Sequence, residues 1–325
     1  MKLEHIEYPE AGVCRMVLTA DAAALERALA EAEQSTAPAD GAVPRPDRED
    51  LLADAVNRVL LAEFPPLYEQ AVAGAGLVPV SDPDFGLRAL NRAEGFCATA
   101  EFCILPELTL GRYTDFVQQV EPTPLRELNI LLEINVHHAG AYNAADEAGK
   151  AAIRQQAIRS LYERRCEQAL VPARQRLLEQ LGDSVHGPVP RPMALDTYLE
   201  ELNRFSLQLQ RQKLDFGKFL QAQHQTETQF RAALRAQAER RLRSRLGLLL
   251  VADREGLWPT DAAVEQALEN WDARTYGART FPANDRRRVR QRLAAAQAQA
   301  FVLAHSTLLA PPAEPVLAPA DPAQA

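Results

Sequence analysis

His137-His138 is the only pair of adjacent histidines in the chain, so it is the first place to look for a metal or an acid–base centre. On an extended segment, neighbouring side chains point to opposite faces. Zinc needs four convergent donors, and no H-E-x-x-H motif accompanies the pair, so it reads as an ordinary loop or strand pair rather than a ligand set. The cysteines are Cys14, Cys97, Cys103 and Cys166, and none forms a C-x-x-C pair. Their scatter fits reduced thiols rather than a disulfide framework. Cys97 and Cys103 share one strand-like run; six residues of strand span roughly 20 Å, so they cannot bridge each other. Cys166 follows Arg164 and Arg165, whose charge favours a thiolate, yet no histidine partner accompanies it, and it reads as structural. The G-x-x-x-x-G-K-[ST], G-x-G-x-x-G and G-x-S-x-G signatures are all missing from the sequence. No catalytic centre, metal or cofactor is expected.

Two arginine-rich stretches remain. One is Arg231, Arg235, Arg240, Arg241, Arg243 and Arg245; the other is Arg286, Arg287, Arg288, Arg290 and Arg292. A nucleic-acid surface would need a net basic footprint with interleaved aromatics. The net charge is -8 and aromatics make up 6% of the chain, so these runs read as solvated helix faces, with no direct DNA binding.

The elements that carry these residues are mostly helical. Of 325 residues, 47% are hydrophobic and 25% charged, with abundant Ala, Leu, Arg, Gln and Glu; this is a helix-favouring balance long enough for two or three domains. The first hundred residues read as α+β. Val13 to Thr19 is a strand, helices follow from Asp21 and from about Glu49 to Ala73, and Ser35 to Asp50 is a loop. Pro65-Pro66 is expected to break or kink the second helix. Phe85 to Leu90 and Phe96 to Leu105 read as strands, the latter with Phe96, Ala98, Ala100, Phe102 and Ile104 alternating onto one face. Residues 116–143 read as an extended connector or one short strand. Helices are then expected at Ala145 to Leu170, Ala173 to Leu181, Ala194 to Gln223, Glu227 to Glu255, Thr260 to Tyr276 and Asp285 to Leu309. The Pro/Ala-rich last fifteen residues read as disordered. No apolar leader or membrane-length run is present, so the expected location is the cytoplasm.

Three segments together resemble trigger factor, the ribosome-associated bacterial chaperone family. Cys14-Arg15-Met16-Val17-Leu18-Thr19 and the helix after it resemble the family's opening strand and helix. Glu101-Phe102-Cys103-Ile104-Leu105-Pro106-Glu107-Leu108-Thr109-Leu110 resembles the E-F-x-V-x-P-E-(V/L)-x-L strand that closes its N-terminal domain. Leu248 to Val264 is similar to a helix–turn–helix of its C-terminal domain, with Gly256 as the stop and Thr260 as the next cap. The resemblance implies an α+β fold: a small N-terminal, ribosome-binding-like domain at 1–115 projecting on a linker, a connector at 116–143, a helical cradle domain with arms at 144–310, and a disordered tail at 311–325.

Two departures qualify it. The family's ribosome-docking loop carries G-F-R-x-G-K-x-P. The matching stretch here, Ala37 to Pro44, keeps Gly41 and Pro44, with Val43 at the variable position, but has Pro38 at the aromatic position and Ala39 and Ala42 at the basic ones. Asp40 would repel RNA phosphate, so standard ribosome docking is expected to be weakened. The family's prolyl-isomerase insert, of about a hundred residues, has only the connector in its place, and no isomerase activity is expected. The resemblance implies an ATP-independent holdase for unfolded or nascent polypeptides, with Met193, Phe205, Leu209, Phe216, Phe219 and Phe230 as candidate apolar contacts. The competing readings are a dedicated assembly factor with a single partner, or a homodimer, on the same scaffold, and a residual or unrecognised enzyme.

Overall fold

The computed structural model describes residues 1–35 and 48–318. The loop positions Ala39, Gly41, Ala42, Val43 and Pro44 therefore lie outside the described residues. In chain order the elements are β1 (Lys2–Glu10), β2 (Val13–Ala20), α1 (Ala22–Ser35), α2 (Arg48–Gly74), β3 (Asp84–Asn91), β4 (Gly95–Cys103), β5 (Thr109–Leu110) and β6 (Val117–Gln119). They continue with α3 (Glu127–His137), α4 (Ala139–Ala144), α5 (Glu147–Asp183), β7 (Val185–His186), α6 (Arg191–Gln212) and α7 (Phe216–Ala222). The last are α8 (Glu227–Arg254), α9 (Asp261–Glu269), α10 (Ala273–Tyr276), α11 (Pro282–Ala304) and β8 (Thr307–Leu309). The fold class is α+β: a small N-terminal sheet followed by a long, mostly helical remainder.

The chain forms two compact units, 1–110 with 185–297 and 111–184 with 298–325. Each unit draws on two stretches of chain, so the linear segments 1–115, 116–143, 144–310 and 311–325 do not coincide with them.

In the first unit an antiparallel sheet runs β1-β2-β4-β3. Alternation decides which way β4 faces: Phe96, Ala98, Ala100 and Phe102 are buried against α1 and α2 with Met16, Leu18, Leu25 and Phe64. Strand β1 had no clear signal, because most of its side chains are exposed or half-exposed. Gly95 has φ +100, and a Cβ there would lie 1.9 Å from the Ala20 carbonyl oxygen, so the β3–β4 turn requires glycine. Contrary to the expected break, α2 runs continuously through Pro65 and Pro66. The prolines free the carbonyls of Leu61 and Ala62, both on exposed residues that solvent can reach. Phe64 and Tyr68, buried on the opposite face with ring centroids 5.4 Å apart, hold the helix to the sheet.

A second core lies in the same unit. Val13 and Cys103, at the ends of β2 and β4, pack with Met193 of α6 and Leu242, Leu246 and Leu249 of α8. The strand that resembles the family's closing strand ends on this core: Ile104 donates to the Gly12 carbonyl at 2.9 Å and Leu105 to that of Val78 at 2.7 Å. The Leu248–Val264 segment takes its expected form. Gly256 has φ +64, Leu257 donates back to Ala252 at 2.7 Å, and Thr260 caps α9 by accepting from Ala263 at 3.3 Å.

In the second unit, β6 pairs in parallel with β8. Helix α3 packs on α5 through Ile130, Ile134, Ala157, Ile158 and Tyr162. Residues 116–143 are thus not an extended connector: only Val117–Gln119 is strand, and α3 and α4 occupy 127–144. The run from Leu128 to Val136 hid its helical period because it is apolar on both faces. Ile130 and Ile134 are buried, while Leu128, Leu131, Leu132 and Val136 are exposed. His137 and His138 accordingly sit at the end of α3, not on a strand. The two helices expected at 145–170 and 173–181 are one, α5, which continues through Pro172 because the freed carbonyl belongs to exposed Gln168. Conversely, the stretch expected as one helix from Ala194 to Gln223 divides into α6 and α7. Part of the expected disordered tail is bound: the Tyr162 hydroxyl donates to the Pro312 carbonyl at 2.6 Å, and Leu125 bridges to Leu317. Among the described residues no helix is long and apolar enough to cross a membrane.

Candidate functional site

The α6–α8 hairpin positions most of the apolar residues singled out from sequence. Helix α6 ends where Lys213 adopts a left-handed conformation (φ 52, ψ 36). Asp215 then starts α7 by accepting from the Lys218 amide at 3.1 Å. Helix α8 opens with a capping box: Thr226 accepts from the Gln229 amide at 3.2 Å, and the Gln229 side chain accepts from the Thr226 amide at 2.9 Å. These closely spaced stops fold α7 across the open end of the hairpin.

The result is an aromatic cluster. The Phe205 ring centroid lies 4.7 Å from Phe230, 5.1 Å from Phe219 and 6.1 Å from Phe216. Phe230 also lies 5.4 Å from Phe216 and 6.0 Å from Phe219. All four rings are half-buried, held by one another yet still reached by solvent. Leu207 and Leu214 are 45% and 48% exposed near the same end. Leu209 is buried on α6. Met193 is not part of the group: it is buried in the core with Cys103, Leu242, Leu246 and Leu249.

Below the cluster the hairpin is closed by a small core of Tyr198, Leu234 and Ala238, with Leu202 against it. Glu201, 7% exposed, accepts from Arg204 at 2.9 Å on its own helix and from Arg241 across the hairpin. Arg235 stacks over Tyr198 at 5.2 Å. Many of these arginines make ion pairs or backbone hydrogen bonds within the chain, while Arg231, Arg235, Arg240, Arg245, Arg286 and Arg292 stay exposed, as expected of solvated helix faces. Arg231 pairs with Glu227, and Arg243 with Glu239 and the carbonyls of Val185 and Gly187; Arg286 pairs with Glu265 and Arg290 with Asp261. Arg287 and Arg288 both reach Asp82, and Arg288 also pairs with Asp285. Among the described residues no cluster of His, Cys, Asp and Glu is arranged to hold a metal ion, and all four cysteines are free thiols.

The end of the hairpin is thus an apolar surface of half-exposed rings. Residues 145–303 match the family model of the bacterial trigger factor protein C-terminus. These residues, just under half of the chain, thus form a domain similar to the trigger factor C-terminus. Curated relatives include the trigger factors of Enterococcus faecalis and Latilactobacillus sakei. The first is 42% identical over 65 residues, 20% of this chain and 14% of that protein. The second is 40% identical over 65 residues, with the same coverage. The trigger factor of Limosilactobacillus fermentum is 30% identical over 86 residues, covering 26% of this chain and 19% of that protein. The aligned stretch thus spans less than a fifth of each relative's length. A solved structure of a trigger factor chaperone, described for promiscuous substrate recognition in folding and assembly, aligns over 92% of this chain and 99% of its own with 12% identity and a TM-score of 0.42. That likeness is too loose to carry more.

Proposed function

We propose that the protein is an ATP-independent chaperone that holds unfolded or nascent polypeptides through the apolar end of the α6–α8 hairpin. The observation that carries this reading is the cluster of Phe205, Phe216, Phe219 and Phe230, half-buried together beside exposed Leu207 and Leu214. Rings that already lie against one another lose little entropy on binding, while their open edges offer apolar area worth roughly 25 cal/mol per Å² covered. The trigger factor C-terminal domain supports a chaperone role in general. Missing nucleotide-binding signatures in the sequence fit binding and release without ATP.

The protein acts in the cytoplasm, without prolyl-isomerase activity and without docking on ribosomes through the loop at 37–44, where the basic positions are Ala39 and Ala42. The test is suppression of aggregation of a chemically unfolded client at equimolar protein. Suppression by wild type that is weakened in a Phe216→Ser, Phe219→Ser variant supports the reading; no suppression by wild type overturns it. Ribosome co-sedimentation of wild type beside Ala39→Arg, Ala42→Lys tests the docking statement: sedimentation of wild type would overturn it. A peptide-proline isomerisation rate above background would overturn the non-enzymatic reading.

A further inference from the structure

A cleft of about 360 Å³ opens in the first unit between α6, α8, α11 and the α10 turn. Its floor is apolar, built by Val80, Met193, Leu246 and Leu249. Its walls carry charge of both signs. Arg287 and Arg288 are consumed by Asp82, Asp285, Asn284 and backbone carbonyls. Four other charged residues on the lining are different: Arg245 on α8, Arg292 on α11, and Asp196 and Glu200 one turn apart on α6. Among the described residues none of these four makes a hydrogen bond or an ion pair, in a protein that pairs most of its other arginines. All four residues are exposed to solvent. Desolvation by the protein atoms around the Arg245 guanidinium holds it below its ordinary pKa and Arg292 pushes the same way, while Glu200 and Asp196 oppose the shift.

Two unpaired cations and two unpaired anions around an apolar floor define a complementary ligand. We propose that the cleft is a binding site for a small zwitterion with an apolar side chain, a free amino acid or dipeptide. Its carboxylate faces Arg245 and Arg292, its ammonium faces Asp196 and Glu200, and its side chain rests on Met193, Leu246 and Leu249. A lone anion would meet the two carboxylates and a lone cation the two guanidinium groups, so a ligand carrying both charges complements both pairs. Guanidinium–carboxylate contacts are the strong, geometrically specific kind. The volume is on the order of a dozen waters at ~30 Å³ each, and sits at the small end of ligand pockets. This site is separate from the Phe cluster and does not depend on the chaperone reading.

The probe is the dipeptide leucyl-phenylalanine with free ends, titrated calorimetrically into the full chain. Its doubly blocked form, N-acetyl-leucyl-phenylalanine amide, is the control. Expected is saturable binding of the free dipeptide, weakened about tenfold or more by Arg245→Gln with Arg292→Gln and by Asp196→Asn with Glu200→Gln, and no binding of the blocked form. All variants should melt within a few degrees of wild type, because the charges they remove have no partner. No binding of the free dipeptide at millimolar concentration overturns the proposal. So does equal binding of the blocked form, which would mark a purely apolar surface. A large fall in melting temperature in either double variant would show the charges to be structural, and would overturn it as well.

Discussion

Phe205 on α6 and Phe230 on α8 face each other across the hairpin with ring centroids 4.7 Å apart, and each also touches Phe216 and Phe219 of the short α7. The pair therefore has two duties: it closes the end of the hairpin and presents ring edges to solvent. Phe230→Ala removes three aromatic contacts, each worth about 0.5–1.5 kcal/mol. Because the rings are only half-buried, the net loss should be about 1–2 kcal/mol, below the range for fully buried phenylalanine. The check is a urea melt read beside client-aggregation kinetics: chaperone activity should fall further than global stability does.

The neck of the hairpin depends on charge rather than on rings. Glu201→Ala leaves Arg241 without its partner in a partly buried site, and should destabilise the protein by about 2–3 kcal/mol. Arg241→Met should cost less, since it removes the charge while keeping apolar bulk. A double-mutant cycle between the two positions should give a coupling above about 1 kcal/mol.

Glu133 supplies a pH-dependent contribution in the second unit. The Arg164 guanidinium hydrogen-bonds its carboxylate at 2.5 Å and holds it below the usual carboxylate pKa, with His137 and His138 adding smaller pulls. A carboxylate whose pKa is lower folded than unfolded stabilises the fold above its unfolded value of about 4.3. That contribution disappears as pH falls through the folded value. Glu133→Gln should therefore lower stability at pH 7 and narrow the difference from wild type as the solution is acidified, measured by urea melts at several pH values.

Burial pushes the Cys14 thiol up to about 11, and Cys103 is raised for the same reason. At pH 8 only about one Cys14 thiol in a thousand is ionised by that value, and the folded core blocks approach. Iodoacetamide followed by peptide mass spectrometry should label half-buried Cys97 and Cys166 first. Cys14 and Cys103 should be labelled only once urea unfolds the chain.

Much of the architecture was legible where a period was clean. Alternation along Phe96–Phe102 and the stop and cap at Gly256 and Thr260 anticipate β4 and the α8–α9 turn. The aromatic stripe was legible as separate residues, but nothing in sequence spacing says that Phe205, Phe219 and Phe230 touch, because the contact depends on two closely spaced turns at Lys213 and His224, both with positive φ. Met193 misled for a related reason: its burial comes from α8 residues some fifty positions away. Proline was over-weighted in α2 and α5, since its cost depends on whether the carbonyl it frees can reach water, a matter of tertiary burial.

The pairing of β6 with β8, and of Leu125 with Leu317, has a consequence for synthesis. Both partners of each pair must have left the exit tunnel before the second unit can close, and the later partners lie at 307–317. The first unit likewise lacks Leu242, Leu246 and Leu249 until most of the chain is made. At about 5–20 residues per second, the N-terminal sheet waits roughly 7 to 30 seconds for those residues. During that interval the protein, like the clients proposed for it, is an incomplete chain with apolar surface exposed.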